Sequence, residues 1–375
     1  MILINLIKVG VIRLCDFVNE LYSPFEKATY TGTANLDTLE KQFYTHLQSK
    51  FVENGHFKYQ LPMPDDHGDA ALFQGLYTGL MNLAKSRNDE AVIAANTALD
   101  SYFHNAVLVR GVRADGTIND TTSNDSATGV LFGLYWRWCN TEQDETLTAW
   151  ALNLMESNYA LTDLNGKPTK FGRLEQGWKT DPLRLTLLLA ILALAGKSSN
   201  NGVGYRASVA YNKLYRKYKL LLKYPKIKLL WWDTDYDTHR AAIHLNILFN
   251  LTGEKVYLDG LKRIYRITKK ENNAWVNLLC FEADTSILNS FVFENRIKGN
   301  VESWNSPYFP GVQWGKHRRS IKALPIAHRG SQEFFWQRNM FSLDEWMDNK
   351  EATVFHSGLD FLLAYWLKKN TGVIK

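Results

Sequence analysis

Acidic side chains recur just ahead of apolar helical runs in this 375-residue chain, in turns that also carry histidine and tryptophan. The turns are Asp65-Asp66-His67-Gly68-Asp69, Asp120-Thr121-Thr122-Ser123-Asn124-Asp125, Glu175-Gln176-Gly177-Trp178-Lys179-Thr180-Asp181 and Trp231-Trp232-Asp233-Thr234-Asp235-Tyr236-Asp237-Thr238-His239. Two shorter ones, Glu271-Asn272-Asn273 and His356-Ser357, precede later runs. Two carboxyls in different environments can divide proton donation and proton removal between them. A carboxyl at a helix N-terminus is held ionised by the dipole and the free N–H groups, which suits a base better than an acid. On that argument Asp125 is the base, and Asp66, three residues ahead of the cap position at Asp69, is the acid. Capping alone would account equally for Asp69, Asp125, Asp181 and Asp237, and a solvated turn would account for Asp66.

The same turns offer ligand-binding groups. His67, Asp69, Asp235 and His239 are polar; Trp178, Trp232, Tyr236, Trp304 and Trp314 are flat rings in loops that can stack on a ligand. Arg113, Lys179 and Arg184 bring positive charge, as do Arg173, Arg240 and the run His317-Arg318-Arg319, and a guanidinium can clamp a carboxylate through two bonds. The plainer account of the rings is that they fill a core. Asp233, Asp235, Asp237 and His239 alternate in a way that suggests a cation, but the rest of a calcium-binding loop is missing, so no metal is expected.

Bringing scattered turns together requires a repeat. Asp69, Asp125, Asp181 and Asp237 lie 56 residues apart, ahead of apolar runs at 70–84, 126–138, 182–195 and 238–251. Pro182 fits the first position of a helix. Gly75-Leu76-Tyr77 recurs as Gly133-Leu134-Tyr135 after 58 residues, and Gly196 recurs as Gly253 after 57. Between the apolar runs lie more amphipathic segments at 88–104, 146–158, 204–222 and 255–269, so each repeat reads as a helical hairpin with an inner and an outer member. The stretch 185–195 is apolar on every side and has to be buried between neighbours, which demands two helical layers. Further inner helices begin near Asn273 and Ser357, making six, with outer helices at 38–51 and 285–292. The expected fold is all-α, an (α/α)6 toroid whose parallel inner helices gather the acidic turns at one end. Short β-hairpin insertions are expected at 107–119 around Asp115-Gly116 and at 159–174 around Asn165-Gly166. Residues 1–35 form an N-terminal helical arm, with an amphipathic helix over 2–22 packing on the rest. Residues 36–375 form the toroid domain, with a long loop excursion at about 299–347.

Composition narrows the function classes. With 45% hydrophobic and 22% charged residues the chain can bury a large core. Forty-four Lys and Arg against 38 Asp and Glu give a net charge of +6, spread too evenly to mark a nucleic-acid surface. Cys15, Cys139 and Cys280 are far apart in apolar surroundings and read as buried free thiols, outside any disulfide framework. The opening residues are apolar, but Lys8, Arg13 and Asp16 interrupt them. Neither a signal peptide nor a membrane span is expected, which points to a cytoplasmic protein or one delivered within an assembly. Phosphate-binding, dinucleotide, serine-hydrolase and zinc-protease motifs do not occur, and nothing calls for a cofactor.

The repeat layout, with Asp66-His67-Gly68-Asp69-Ala70 and Leu164-Asn165-Gly166-Lys167-Pro168-Thr169-Lys170-Phe171-Gly172 as local texture, resembles the six-hairpin glycosidase superfamily from about Thr38 onward. The resemblance implies the toroid and a cleft at the end where the acidic turns lie. In some of these families, such as the unsaturated glucuronyl hydrolases, essential aspartates stand before consecutive inner helices; Asp66 or Asp69, and Asp125, occupy the matching places. It further implies a glycoside hydrolase acting on an acidic or complex polysaccharide, with a uronate-directed lyase as a close variant. Asp66 would protonate the leaving oxygen and Asp125 would activate water. The alternative is a non-catalytic glycan-binding or structural scaffold within a virus particle or other assembly.

Overall fold

The computed structural model describes residues 2–21, 36–59, 68–85, 88–113, 115–199, 202–225, 235–268, 274–282 and 357–371. Among these the chain is mostly helical, with twelve α-helices and four two-stranded antiparallel hairpins. The helices are α1 (Ile2–Leu21), α2 (Leu36–His46), α3 (Ala70–Leu83), α4 (Asp89–Asp100), α5 (Asn124–Thr141) and α6 (Glu145–Glu156). They continue with α7 (Pro182–Ser198), α8 (Gly202–Tyr218), α9 (Asp235–Thr252), α10 (Lys255–Thr268), α11 (Ala274–Leu279) and α12 (Leu359–Thr371).

The apolar runs become the buried members. Every residue of α3 is buried, as are nearly all of α7, because neither sequence offers a polar stripe to face water. Packing follows chain order: α3 lies on α5, α5 on α7, α7 on α9, α9 on α11, α11 on α12, and α12 returns to α3. The amphipathic helices flank them, α4 against α3, α6 and α8 against α7, α10 against α9, and α2 against α12.

Cross-links fix the direction of the buried helices. Midway along α9, His244 lies between Thr128 and Thr186 near the starts of α5 and α7, and Arg240 in the second turn of α9 pairs with Asp125 in the first turn of α5. At the far end, the Asn370 amide of α12 donates to the Leu83 carbonyl (3.1 Å) and Asn140 of α5 donates to the Asn82 carbonyl (3.1 Å). Helices α3, α5, α7, α9 and α12 therefore run the same way, with their N-termini at one end. At the opposite end the buried Arg137 guanidinium grips Asp144 through two bonds of 2.6 and 2.7 Å and reaches Asp100 at 2.8 Å. Midway along, Phe132 of α5 meets Trp275 of α11 edge-on, ring centres 5.3 Å apart, so aromatic side chains fill the middle.

The closest approach joins α3 to α5. A methyl group added at Gly75 would overlap the backbone of Gly129, and one at Gly129 would overlap the Leu72 carbonyl. Only glycine at both positions lets the two backbones touch.

The hairpins are β1 (Val52–Glu53) with β2 (His56–Phe57), β3 (Phe103–His104) with β4 (Val107–Leu108), β5 (Gly111–Val112) with β6 (Ile118–Asn119), and β7 (Ala160–Thr162) with β8 (Pro168–Arg173). Gly116 and Gly166 take positive φ at the expected turns. The expected hairpin at 107–119 divides, however: Val107 and Leu108 pair backward with β3, and only 111–119 closes around Asp115-Gly116. The thiols also differ from expectation. Cys280 is buried, but Cys15 is half-buried and Cys139 exposed, because the last turn of α5 emerges from the core. The segments 285–292 and 299–347, assigned above to an outer helix and a loop excursion, lie outside the described residues.

Candidate functional site

The four evenly spaced aspartates are not four equivalent caps. Asp181 alone caps as expected, its carboxylate accepting from the Leu183 N–H (3.0 Å) at the start of α7. Asp69 occupies the cap position of α3 but makes no side-chain cap bond; its carboxylate pairs with Arg110 at 3.2 Å. Asp125 lies inside the first turn of α5, which Ser123 caps by accepting from the Ser126 N–H (3.1 Å). Asp237 is the third residue of α9 and pairs with Arg240. The physical reason is shared: a guanidinium binds a carboxylate more strongly than a neutral backbone N–H does, and draws it away from the helix end.

These pairs converge. Arg240, buried in the second turn of α9, spans two helices with one guanidinium, Nη1 donating to Asp125 and Nη2 to Asp237. Arg110 lies between β4 and β5, where its Nε donates to the Gly68 carbonyl and its own carbonyl accepts from the Ala71 N–H (3.0 Å). The hairpin region ahead of α5 is thereby fastened to the start of α3. Three carboxylates from the starts of α3, α5 and α9 and two guanidiniums, one from α9 and one from the hairpin region, thus act on one another. Burial pushes the Asp125 carboxyl up from its ordinary value; Arg240 opposes this, Asp237 and Asp69 add to it, and Arg110 opposes it. The upward direction suits a proton donor, whereas the helix-end argument had favoured a base.

Below this cluster, one turn along α9 from Arg240, the buried His244 has Nε2 at 2.9 Å from Thr128 Oγ1 and Nδ1 at 3.2 Å from Thr186 Oγ1. Burial, then Arg240, hold its pKa well below the ordinary imidazole value. It is neutral, with one ring nitrogen donating and the other accepting. The hydroxyls of Thr122 and Thr238, close in sequence to Asp125 and Asp237, are buried and have no hydrogen-bond partner among the described residues.

A second polar knot sits ahead of α7. Glu175 accepts from the Gly177 N–H (3.2 Å), Lys217 (2.7 Å) and Tyr218. Burial alone would raise the Glu175 carboxyl, but Lys217, Tyr218 and the Gly177 N–H outweigh it and hold the group below its ordinary range. These bonds pin the short turn Gly177–Lys179, which carries Trp178 and Lys179, against α8.

Of the residues singled out from sequence, Asp69 and Asp125 belong to the cluster, and His239 is buried beside Arg240 in α9. Arg113 is exposed on the β5–β6 turn, its backbone N–H bonded to the Thr117 carbonyl at 2.9 Å. Lys179 is exposed, and Arg184 lies 3.8 Å from Asp181. Asp235 and Tyr236 open α9. Asp66, His67, Trp232, Trp304 and Trp314 lie outside the described residues. Among the described residues no group of three His, Cys, Asp or Glu is arranged to hold a metal ion.

Sequence reasoning passed over Arg110 and the Thr128–His244–Thr186 set, and gave Asp237 to capping. Arg110 carries no local signal, since its partners at Gly68 and Asp69 are about forty residues away. His244 did leave one: an imidazole inside an apolar run, one turn beyond an arginine. The chain matches no protein-family model, no curated protein and no solved structure.

Proposed function

We propose that the chain is an (α/α)6 toroid that cleaves an acidic or complex polysaccharide, with Asp125 as the proton donor at the mouth formed by the inner-helix N-termini. The closed packing order from α3 through α12 and back supports the toroid. The observation that carries the chemistry is the meeting of Asp69, Asp125 and Asp237 with two arginines, in which Asp125 is pushed toward its protonated form. Glycosidic cleavage needs one carboxyl able to protonate the leaving oxygen and another that stays a carboxylate to activate water. Asp125 fits the first role. Asp69, held by Arg110, and Asp66 are the candidates for the second.

One observation favours a second reading, a non-catalytic glycan-binding scaffold: Arg240 already occupies both Asp125 and Asp237. A polysaccharide array incubated with the full chain separates the two. The hydrolase reading expects new reducing ends from at least one polymer. A lyase would release reducing ends as well, but with an unsaturated sugar at the new non-reducing end that absorbs in the ultraviolet. Retention of a polymer with no new chain ends supports the scaffold.

A further inference from the structure

The net charge of +6 is concentrated, not spread evenly as expected above. Between Asp181 and Asp233 the chain carries ten Lys and Arg and no Asp or Glu, while the rest, with 34 basic residues to 38 acidic, is net negative. Helix α8 lies in this stretch and sorts its side chains by face. Ala207, Ala210, Tyr211, Leu214, Tyr215 and Tyr218 are buried, which leaves Lys213, Arg216 and Lys217, with Lys219 just beyond the helix, exposed. Three- and four-residue spacing puts Lys213, Arg216 and Lys217 side by side. Neighbouring acids do not neutralise this face. On α6, Glu156 reaches Arg206 at 4.0 Å, and Glu145 begins the helix beside Asp144 at the opposite end. Helix α7 has no acid. Glu175 is taken by Lys217 at 2.7 Å, Glu254 accepts from Tyr215 at 2.6 Å, and Asp259 of α10 is held by Lys255 at 2.7 Å. Lys219 sits over the Tyr215 ring, 5.3 Å from its centre. Among the described residues no carboxylate lies within ion-pair reach of Lys213, Arg216 or Lys219.

The position of the face is set by Lys217 and Tyr218, which hold Glu175 in the turn ahead of α7. The start of α7 lies with those of α5 and α9, so the uncompensated charges stand within about a turn of a knot at the end where Asp69, Asp125 and Asp237 meet. That meeting point, three carboxyls against two guanidiniums, offers an acidic polymer no net attraction of its own; a positive surface beside it supplies one. We infer that the exposed side of α8 around Lys213, Arg216 and Lys219 binds an acidic polysaccharide through its carboxylates and leads it to the mouth, an inference that rests on the polysaccharide reading above. The C-terminal half of α8 and the turn after it expose one large apolar side chain, Leu220, too little to enter a bilayer. No helix among the described residues is long and apolar enough to cross one. Tyr211, Tyr215 and Tyr218 are buried, which leaves no ring in this half to stack on the bases of a single strand.

The test measures binding of the full chain to polygalacturonate and to its fully methyl-esterified form, the same polymer without the charge. The wild type is expected to bind the acidic form only, and less tightly as salt rises. Lys213→Glu with Arg216→Glu should weaken binding roughly tenfold with a little-changed melting temperature, since neither side chain has an ion-pair partner to lose. Lys213→Arg with Arg216→Lys keeps the charge and should bind as the wild type does. If the wild type cleaves the polymer, the Glu pair should raise KM by about the same factor and leave kcat alone. Cleavage with KM unchanged in the Glu pair overturns the inference and leaves the hydrolase reading standing; binding lost in the pair by a wild type that never cuts does the reverse. Equal binding of the two polymers, or of neither, overturns the inference. Tighter binding of duplex DNA than of polygalacturonate, lost in the same pair, overturns it in favour of a nucleic-acid surface.

Discussion

At the scale of single residues, Asp125 is where a structural role and the proposed catalytic role diverge. Its carboxyl touches Arg240, yet burial with Asp237 and Asp69 tips it toward the protonated form. A native value above the unfolded one means that the folded state binds this proton more tightly. The resulting stabilisation is fully present below about pH 4 and is lost as pH rises through the native value. Asp125→Asn mimics the protonated form. Its melting temperature at neutral pH should therefore match or exceed that of the wild type, and the difference should close to nothing by about pH 4. Thermal melts across that range check this; a marked fall at neutral pH would make Asp125 an anchor for Arg240 instead. The even spacing of acids made the meeting of Asp69, Asp125 and Asp237 legible in sequence, because turn position follows from repeat length. It could not distinguish Asp181, a true cap, from Asp69, Asp125 and Asp237, because the arginines that claim those three arrive from other elements.

At the scale of elements, helical period was the strongest signal, and the four central apolar runs appear as α3, α5, α7 and α9 within a few residues. Hairpins were legible where Asp115-Gly116 and Asn165-Gly166 supplied the turn. The β3–β4 hairpin was not, since it turns through Asn105 and Ala106, and alanine at positive φ announces nothing. The glycines of α3 and α5 stood out as a repeat, but their purpose, backbone contact, depends on two helices meeting face to face. Gly129→Ala should gain about 1 kcal/mol of helix propensity and still be destabilising overall, since the overlap with the Leu72 carbonyl costs roughly 1–3 kcal/mol or more. Gly10→Ala, on an open face of α1 with nothing within 4 Å, should gain up to about 1 kcal/mol with no such cost. Urea midpoints moving in opposite directions would confirm the contrast; a stabilising Gly129→Ala would refute the close approach.

At the scale of the whole molecule, the buried helices pack in chain order, the starts of α3, α5, α7 and α9 come to a common end, and α1 is tied on from outside. An amphipathic first helix was legible, but the side that docks was not. Periodicity turns apolar residues inward by default, and one ion pair, Asp16 with Arg263, reverses that choice and leaves Leu14 and Phe17 exposed. Asp16→Asn leaves Arg263 buried without its carboxylate and should cost about 3–5 kcal/mol in the docking of α1. Hydrogen exchange should then show lost protection confined to α1, with α3 to α9 unchanged; uniform loss would mean that α1 is integral to the core. The most direct test of the catalytic reading compares reducing-end release from a uronate-containing polysaccharide by wild type and Asp125→Asn, both first shown to be folded. The account predicts turnover by the wild type and a rate at least about a hundredfold lower in the variant, the scale of a lost general acid. Equal rates in the two, or a wild type that binds the polymer and never cuts it, would contradict it.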